Sequence, residues 1–256
     1  MIKLQKRKLL PVTIVGSGPG NPELLTLRAW HVLSKAGVIL YDDLVGAEII
    51  DIIPQSTEKI YVGKRYQDGA NQKKRLENIL HLYRKYLDMG KNLVRLKGGD
   101  PMIFSRTDAE LVFLQNENID YEIVPGLTSG LAGASLNSMP LTVREKVRSL
   151  VCLTASTIDG NDEFNEQVYN YLKLDSTVMI YMGGNMLDLL IEFLKKKMPG
   201  DLEIVLISNI SRENQHIVSS TLKDVHNVLE VSVQLPVVIY LGYSLLNYIR
   251  NSKNVE

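Results

Sequence analysis

The sequence contains a single cysteine, Cys152, among its 256 residues, which excludes a disulfide within the chain. A reducing, cytoplasmic location fits this composition. Cys152 lies in the apolar stretch Ser149–Thr154 with no histidine or basic residue beside it, so we expect a buried and unreactive thiol. The four histidines lie in unrelated segments and, with one cysteine, give no metal-ligand spacing, so we predict no metal site.

The chain also lacks an excess of charge and a long hydrophobic run. Its 29 Lys and Arg residues balance 29 Asp and Glu residues, so no general basic surface for nucleic acid is expected. The apolar runs are short and interrupted, which argues against a transmembrane helix. The basic start Met1–Lys8 is not followed by the features of a signal peptide. We therefore expect neither a nucleic-acid nor a membrane partner, and an anionic ligand would need a local group of cations.

What the sequence does have is an alternation of short apolar runs with longer stretches of helical period. This alternation is typical of an α/β protein with mostly parallel strands. The pattern occurs twice, over residues 11–125 and 126–247, and the join falls in the glycine- and alanine-rich segment Pro125–Thr142. We predict two α/β lobes with mostly parallel sheets and a cleft between them, a usual position for a ligand pocket.

The predicted elements are short enough to state in full. The strands are Val12–Val15, Val38–Tyr41, Lys59–Val62, Asn92–Leu96, Tyr121–Val124, Leu150–Thr154, Thr177–Met182, Glu203–Ser208, Ile217–Ser219 and Val237–Leu241. The helices are Glu23–Lys35, Lys73–Asp88, Asp108–Glu117, Phe164–Leu172, Met186–Lys197 and Leu222–Val228. Asn21 followed by Pro22 predicts the start of the first helix, because asparagine caps helices and proline fits their first turn.

The most informative motif follows the fourth predicted strand, where Gly98 and Gly99 precede Asp100 and Pro101. Two glycines let the backbone approach a ligand closely, and the carboxyl end of a parallel strand is where open α/β sheets bind small molecules. Lys97 and Arg106 flank the motif, which favours an anionic ligand. An ordinary strand-to-loop turn would explain the motif, taken alone, equally well.

A second glycine loop, Gly16–Pro22, follows the first predicted strand and raises a nicotinamide-dependent enzyme as an alternative. Asp42 and Asp43 lie near the position of a ribose-binding acid, but Asn21 replaces the third glycine of the dinucleotide fingerprint. Without its phosphate-binding features, the loop favours a ligand that has no phosphates.

Cations follow two further segments. Lys64 and Arg65 come after the third predicted strand, and Arg144, Lys146 and Arg148 follow Pro140 with alternate spacing. Such cations suit the recognition of carboxylates, and arginine can bind them through two parallel hydrogen bonds. Solvated loop charges would explain both groups as well, and Asp42 alone is either a base or a solvated carboxylate.

Taken in order along the chain, these motifs carry a family resemblance. They are Gly-x-Gly-Pro-Gly-Asn-Pro-Glu-Leu-Leu-Thr-Leu, Tyr-Asp-x-Leu-Val, Val-Gly-Lys-Arg, Val-Arg-Leu-Lys-Gly-Gly-Asp-Pro, Val-Pro-Gly-Leu-Thr-Ser, Pro-Leu-Thr-x-Arg and Tyr-Met-Gly. From Pro11 to Tyr243 the chain resembles the uroporphyrinogen-III C-methyltransferases of the tetrapyrrole methylase superfamily. The resemblance implies two α/β domains around a cleft, usually in a homodimer.

The resemblance also implies a cofactor and roles for individual residues. S-adenosylmethionine would lie between the lobes, and the matching contact positions are Pro19, Gly98, Gly99, Asp100, Ile103, Thr128, Ser129 and Met182. Asp42 matches a proton acceptor and Lys64 a proton donor. Arg106 and Arg144 match arginines that hold the carboxylates of the tetrapyrrole, and Arg65 would add to this positive charge. The implied reaction methylates uroporphyrinogen III at C2 and C7, giving precorrin-2 through precorrin-1, for siroheme, cobalamin or haem d1 synthesis.

Some positions depart from the family pattern. Relatives typically have Gly-Gly-Glu-Glu where this chain has Thr107-Asp108-Ala109-Glu110, and further departures fall at Gly69, Val143 and Ile210. Two alternatives therefore stay open beside the leading prediction. The first alternative is a methylase for a related tetrapyrrole. The second is a degenerate methylase that binds S-adenosylmethionine or tetrapyrrole as a sensor.

Overall fold

The computed structural model describes residues 10–63, 72–155, 162–225, 234–247 and 249. The chain divides into two compact units, Met1–Thr128 and Ser129–Glu256. Lys64, Arg65 and Gly69 lie outside the described residues. Within the described ranges, no helix combines the length and the apolar character that crossing a membrane would require.

The first unit contains a parallel sheet of five strands. They are β1 (Val12–Gly16), β2 (Val38–Tyr41), β3 (Glu58–Tyr61), β4 (Leu93–Lys97) and β5 (Tyr121–Val124), in the order β3-β2-β4-β1-β5. All four pairings are parallel, as predicted. Each predicted strand is present, with ends displaced by no more than one residue.

Helices cover both faces of this sheet. α1 (Leu27–Leu33) and α2 (Ala47–Asp51) pack against one face, whereas α3 (Gln72–Asp88) and α4 (Thr107–Asn116) pack against the other. Alternate strand residues supply the two cores: Val94 and Leu96 of β4 belong to the first and Leu93 to the second. α2 was not predicted, because five residues are too few to display a helical period.

The predicted helix Glu23–Lys35 divides into two pieces. A 3₁₀ turn, Pro22–Leu24, is capped by Asn21, whose side chain accepts a hydrogen bond from the backbone nitrogen of Glu23 at 2.8 Å. The α-helix then begins after Thr26, whose hydroxyl oxygen accepts from the nitrogen of Ala29 at 3.1 Å. The cap at Asn21 is confirmed, but the longer helix needed a second cap.

The strand order favours a crevice at the carboxyl ends of the neighbouring strands β1 and β4. The chain leaves β1 through α1 and leaves β4 through α4, and these helices lie on opposite faces of the sheet. Connections that leave two neighbouring strands toward opposite faces open a crevice at the carboxyl ends of those strands, where open α/β sheets bind ligands. The two glycine loops of the sequence follow these two strands.

The second unit contains a sheet of mixed direction. Its strands are β6 (Leu150–Thr154), β7 (Thr177–Tyr181), β8 (Glu203–Ser208), β9 (His216–Thr221) and β10 (Val237–Gly242), in the order β6-β7-β10-β8-β9. Of the four pairings described, β6–β7 is parallel and the other three are antiparallel. The prediction of a mostly parallel second sheet was therefore wrong. The loop 209–215 between β8 and β9 is shorter than the dozen or so residues that a parallel crossover needs.

The helices of the second unit are α5 (Ser129–Leu136), α6 (Asp162–Leu172) and α7 (Leu187–Lys195). Leu222–Val225 form a turn, and the remainder of the predicted helix Leu222–Val228 lies outside the described residues. Cys152 is exposed, so the expectation of a buried thiol was wrong. Among the described strands, β6 lies at the edge of its sheet with a neighbour on one side only, and the sequence does not reveal that position.

Candidate cofactor-binding and catalytic site

The loops after β1 and β4 are hydrogen-bonded to each other. The backbone nitrogen of Gly18 donates to the oxygen of Gly99 at 3.2 Å, and the nitrogen of Gly99 donates to the oxygen of Gly18 at 2.8 Å. The nitrogen of Ser17 also donates to the oxygen of Lys97 at 2.8 Å. These hydrogen bonds bring four predicted cofactor contacts together at the carboxyl ends of β1 and β4. They are Pro19, Gly98, Gly99 and Asp100.

The backbones after β1, β4 and β5 meet at Gly16, Gly99 and Gly126, and we call this contact the crossing. Glycine is required at these positions because the backbones touch. A Cβ atom at Gly16 would lie 2.6 Å from the carbonyl oxygen of Gly99, and one at Gly126 would lie 2.2 Å from the same oxygen. Both distances are too short for any side chain. Gly99 also has φ of 68°, in the left-handed region that glycine adopts without strain. The three backbone segments therefore pack directly on one another, with no side chains between them.

Asp100 connects the loops after β4 and β5. Its Oδ2 accepts a hydrogen bond from the backbone nitrogen of Gly126 at 3.0 Å, and its Oδ1 accepts from the nitrogen of Met102 at 2.8 Å. A carboxylate can accept more than one bond at each oxygen, so these two contacts leave acceptor capacity for a ligand. Asp100 thus holds the crossing together, whatever it binds.

Asp42 follows β2 at the same edge of the sheet and pairs with a buried arginine. Nη2 of Arg95, on β4, donates to Oδ2 of Asp42 at 2.9 Å. The side chain of Arg95 is 5% exposed and that of Asp42 is 24% exposed. Asp42 is therefore held from below by a buried cation while part of its carboxylate remains open to solvent.

Arg95 belongs to a buried cluster of charges between β4, α3 and α4. Oε1 of Glu110 accepts from Nζ of Lys97 at 2.6 Å, and Oε2 of Glu110 accepts from the hydroxyl of Tyr83 at 2.5 Å. Nε of Arg95 lies 3.4 Å from Oε2 of Glu110, an ion-pair distance without hydrogen-bond geometry. The cluster thus contains two cations and two carboxylates, counting Asp42.

The cluster sets the charge of its members. Burial tends to raise the pKa of Glu110, but the charges of Arg95 and Lys97 and the hydrogen bonds from Lys97 and Tyr83 outweigh it and hold that pKa below its usual value. Burial tends to lower the pKa of Arg95, but the charges of Glu110 and Asp42 raise it overall. Burial, together with repulsion from Arg95, lowers the pKa of Lys97.

The loop before α4 carries two of the predicted site residues. Arg106 has φ of 56°, in the left-handed region, and is exposed at the start of α4. Ile103 is exposed as well. The hydroxyls of Ser105 and Thr107 both donate to the carbonyl oxygen of Pro101, which closes the loop on itself. A strained, well-anchored backbone that presents an exposed arginine is a common feature of ligand sites.

In the second unit, two tyrosines hold the first turn of α5. The nitrogen of Gly130 donates to Oη of Tyr181 at 3.2 Å, and Oη of Tyr240 donates to the oxygen of Gly130 at 2.7 Å. Ser129 precedes Gly130 and Met182 follows Tyr181, so these two predicted cofactor contacts lie beside bonded residues. Met182 has φ of 56° and is 50% exposed.

The remaining predicted residues are described separately. Thr128 is the last residue of the first unit. Arg144 lies in a tight turn between the paired residues Val143 and Val147, and its side chain is 94% exposed with Glu145 at 3.6 Å. The described part of the chain contains no group of three or more His, Cys, Asp or Glu side chains that could hold a metal ion.

Sequence reasoning missed Arg95, Glu110 and Tyr83 as members of the site. A signal for them existed: Arg95 and Lys97 occupy alternate positions of a strand whose other residues are apolar, which places both cations on one buried face. Buried cations need partners, so an acidic residue in a covering helix could have been expected. Which acid would serve depends on how α4 packs.

Together, the parallel sheet, the crossed glycine loops and the adjacent carboxylate are typical of an α/β protein with a ligand site at the carboxyl ends of its strands. The comparisons make this class specific. The family model for Tetrapyrrole (Corrin/Porphyrin) Methylases matches residues 11–226, so the chain belongs to the tetrapyrrole methylase family. The resemblance in sequence and the predicted α/β fold are thereby confirmed.

Individual relatives support the assignment. The S-adenosyl-L-methionine-dependent uroporphyrinogen III methyltransferase of Methanosarcina barkeri is 36% identical over 234 residues, which is 90% of each chain. The chain spans 40–49% of the length of the curated siroheme synthases that it matches.

Solved structures agree with the family. Uroporphyrin-III C-methyl transferase from Thermus thermophilus, also solved in complex with S-adenyl homocysteine, matches with a TM-score of 0.75 and 30% identity over 93% of this chain and 99% of its own. A cobalamin biosynthetic enzyme, cobalt precorrin-4 methyltransferase, matches with a TM-score of 0.80 and 25% identity over 91% and 95%.

Proposed function

We propose that this protein transfers methyl groups from S-adenosylmethionine to C2 and C7 of uroporphyrinogen III, giving precorrin-2 through precorrin-1. The observation that carries the proposal is the position of Asp42. Its carboxylate is anchored by a buried guanidinium at the same strand edge as the crossed glycine loops. The name of the Methanosarcina relative, which matches over 90% of its length, supports the same reaction.

The residues present fit S-adenosylmethionine as the methyl donor. The crossing of Gly16, Gly99 and Gly126 packs three backbone segments together, which would fix the adjoining loops in position for a ligand. Pro19, Gly98, Gly99, Asp100 and Ile103 of the first unit would hold it. Thr128, Ser129 and Met182 remain contacts predicted from the sequence. When bound, the cofactor supplies a methyl group already activated by its sulfonium charge. The task of the protein is then largely to align donor and acceptor, which contributes several kcal/mol in well-oriented reactions.

The protein's own residues would bind the ring and move one proton. Uroporphyrinogen III carries eight carboxyl groups, and the exposed Arg106 and Arg144 are suited to bind carboxylates. Asp42 would accept the proton that the macrocycle loses after methylation, because its carboxylate lies beside a cation and is partly open to solvent. Lys64 as proton donor and Arg65 as an additional cation remain predictions from the sequence.

The proposal is tested by anaerobic incubation of the protein with uroporphyrinogen III and S-adenosylmethionine, followed by mass spectrometry of the tetrapyrrole. We expect one and then two added methyl groups. Asp42→Asn should lower kcat by about 10²- to 10⁴-fold, the usual range for losing a general base, with little change in cofactor affinity. Asp43→Asn is the matched control. The carboxylate of Asp43 is next to Asp42 in the chain, but it accepts a hydrogen bond from the hydroxyl of Tyr61 instead of pairing with Arg95.

Other outcomes would point to the open alternatives. Methylation of a later, partly methylated tetrapyrrole but not of uroporphyrinogen III would identify a methylase for a related substrate, as the match to a precorrin-4 enzyme allows. Cofactor binding by calorimetry without any turnover would indicate a sensor. Binding of a nicotinamide nucleotide but not of S-adenosylmethionine would overturn the proposal. The homodimer and the cytoplasmic location stay predictions.

A further inference from the structure

The carboxylate of Asp42 is connected to a second, fully enclosed carboxylate through one guanidinium group. Arg95 lies between them, with Nη2 bound to Asp42 at 2.9 Å and Nε 3.4 Å from Glu110. Glu110 is 3% exposed and cannot reach solvent or substrate. It has no place in binding or proton transfer, yet it is the acidic partner of both cations of β4.

We propose that Glu110 and Arg95 are positioning residues that fix the orientation of the Asp42 carboxylate for proton abstraction. This inference rests on the proposed function, since it assigns Asp42 the role of base. Neither residue would touch the substrate. Glu110 would act through Arg95, and Arg95 through its contact with Asp42.

The geometry of Arg95 carries the inference. Its planar group holds the donors in a fixed fork, so a hydrogen bond at one nitrogen and an ion-pair contact at a second determine where the third one points. Nη1 donates to the carbonyl oxygens of Leu96 at 2.8 Å and Leu40 at 3.3 Å, and Nε faces Glu110. Nη2 is therefore directed at Asp42 by contacts on the other two nitrogens. The second anchor of Asp42, the backbone nitrogen of Leu44 on Oδ1, is weaker at 3.4 Å.

Lys97 and Tyr83 complete the arrangement by holding Glu110 in place. Lys97 binds Oε1 of Glu110 and Tyr83 binds Oε2, so the carboxylate cannot rotate away from Arg95. Removal of the Glu110 charge would leave Arg95 and Lys97 as neighbouring buried cations that share one partly exposed anion. Their repulsion would displace the guanidinium, and the Asp42 carboxylate would follow it.

The structure offers a matched control for the contacts of Glu110 with Tyr83 and Lys97. Tyr86, three residues after Tyr83 on α3, also donates its hydroxyl to a glutamate that pairs with a lysine, here Glu58 and Lys91, at 2.5 Å and 2.7 Å. Glu58 begins β3, so this second cluster lies at the amino edge of the same parallel sheet, away from the loops. Tyr86→Phe and Glu58→Gln remove the same chemistry without touching the site.

The first experiment compares kcat and KM for uroporphyrinogen III. Glu110→Gln should lower kcat by about tenfold and Tyr83→Phe by about threefold, each with KM changed by less than about twofold, because alignment is lost and substrate contacts are not. Tyr86→Phe and Glu58→Gln should leave kcat within about twofold. Combined with Asp42→Asn, Glu110→Gln should lower kcat by less than about twofold further, since a residue that acts through Asp42 has nothing left to position. Equal losses in both backgrounds would overturn the inference, as would a rise in KM alone.

A second experiment reads the same connection without substrate, so that failure of the inference differs from failure of the proposed function. Unfolding in urea is measured for Asp42→Asn, for Glu110→Gln and for the double variant. We expect the change in the unfolding equilibrium constant to differ from the product of the single effects by about threefold or more, because both carboxylates hold one guanidinium. If the two single effects on the unfolding equilibrium constant simply multiply in the double variant, the inference is overturned. Wild-type protein that shows this coupling but does not methylate uroporphyrinogen III would overturn the proposed function alone. If Glu110→Gln does not fold, Tyr83→Phe takes its place in both experiments.

Discussion

Gly126→Ala gives the sharpest test of the crossing formed by Gly16, Gly99 and Gly126. The new Cβ atom would lie 2.2 Å from the oxygen of Gly99 and 2.8 Å from the carbonyl carbon of Gly16, whereas an ordinary contact begins at 3.4 Å. The loops would have to separate by about 1.2 Å. The atoms in contact are backbone on both sides, so no flexible side chain can move instead.

The expected cost follows from this displacement. Forcing extra atoms into a packed region typically destabilises by about 1–3 kcal/mol, and backbone partners place this site near 3 kcal/mol. For a unit of this size that corresponds to a fall in melting temperature of about 10 °C. In wild-type protein, S-adenosylhomocysteine at about a hundred times its Kd should add about 2.7 kcal/mol to the unfolding free energy. If the displaced loops bind it a hundredfold more weakly, the same concentration adds about 0.4 kcal/mol.

Thermal unfolding of both proteins, with and without S-adenosylhomocysteine, measures the two quantities separately. Gly242→Ala is the control, because a Cβ atom there would lie 3.3 Å from Oγ1 of Thr177, a distance that a small adjustment accommodates. Loss of stability with a full stabilisation by the ligand would refute the crossing as a cofactor site. An unchanged melting temperature would refute the packing argument itself.

Three further predictions concern single side chains. Because Glu110 has a lowered pKa in the folded protein, its contribution to stability is complete above the unfolded value of about 4.3 and is lost as pH falls through the folded one; Glu110→Gln should therefore flatten the acid side of a stability–pH curve measured by urea unfolding. Tyr240→Phe should cost about 1 kcal/mol in the same assay, because it removes a buried hydrogen bond to the carbonyl oxygen of Gly130, and wild-type stability would contradict this. Cys152 should react with a thiol reagent in the native protein, with a rate that rises well above neutral pH because partial burial raises its thiol pKa; a native protein that resists labelling would contradict the exposure.

The sequence alone predicts the first sheet well because each predicted strand there is a short, largely apolar segment followed by a loop. β4 shows why the site was predicted less completely. Gly98 and Gly99 predict the loop, because a pair of glycines at the end of a strand usually marks a turn. The acidic partner of Arg95 and Lys97, however, lies further along the chain in α4, after an irregular loop. Only the packing of α4 on the sheet reveals that Glu110 faces both cations.

The second sheet shows a different limit. The strand runs of β8 and β10 look the same whether their neighbours are parallel or antiparallel, because both faces are buried in either arrangement. β10 is inserted between β7 and β8, and this order sets the directions. The exposure of Cys152 has the same origin, since it depends on β6 lying at the edge of that order.

The departures from the family pattern at residues 107–110 take a physical meaning from the buried cluster. Thr107 donates its hydroxyl to the carbonyl oxygen of Pro101, so it closes the loop before α4, and Asp108 is exposed. Ala109 replaces one glutamate of the relatives' pattern, whereas Glu110 keeps the carboxylate that pairs with both cations of β4. A chain that had lost its chemistry would have no reason to keep two buried cations and their one enclosed acid, because apolar residues of similar volume often stabilise such a position equally well or better. The retained cluster, ending at Asp42, therefore favours an enzyme over a degenerate binding protein.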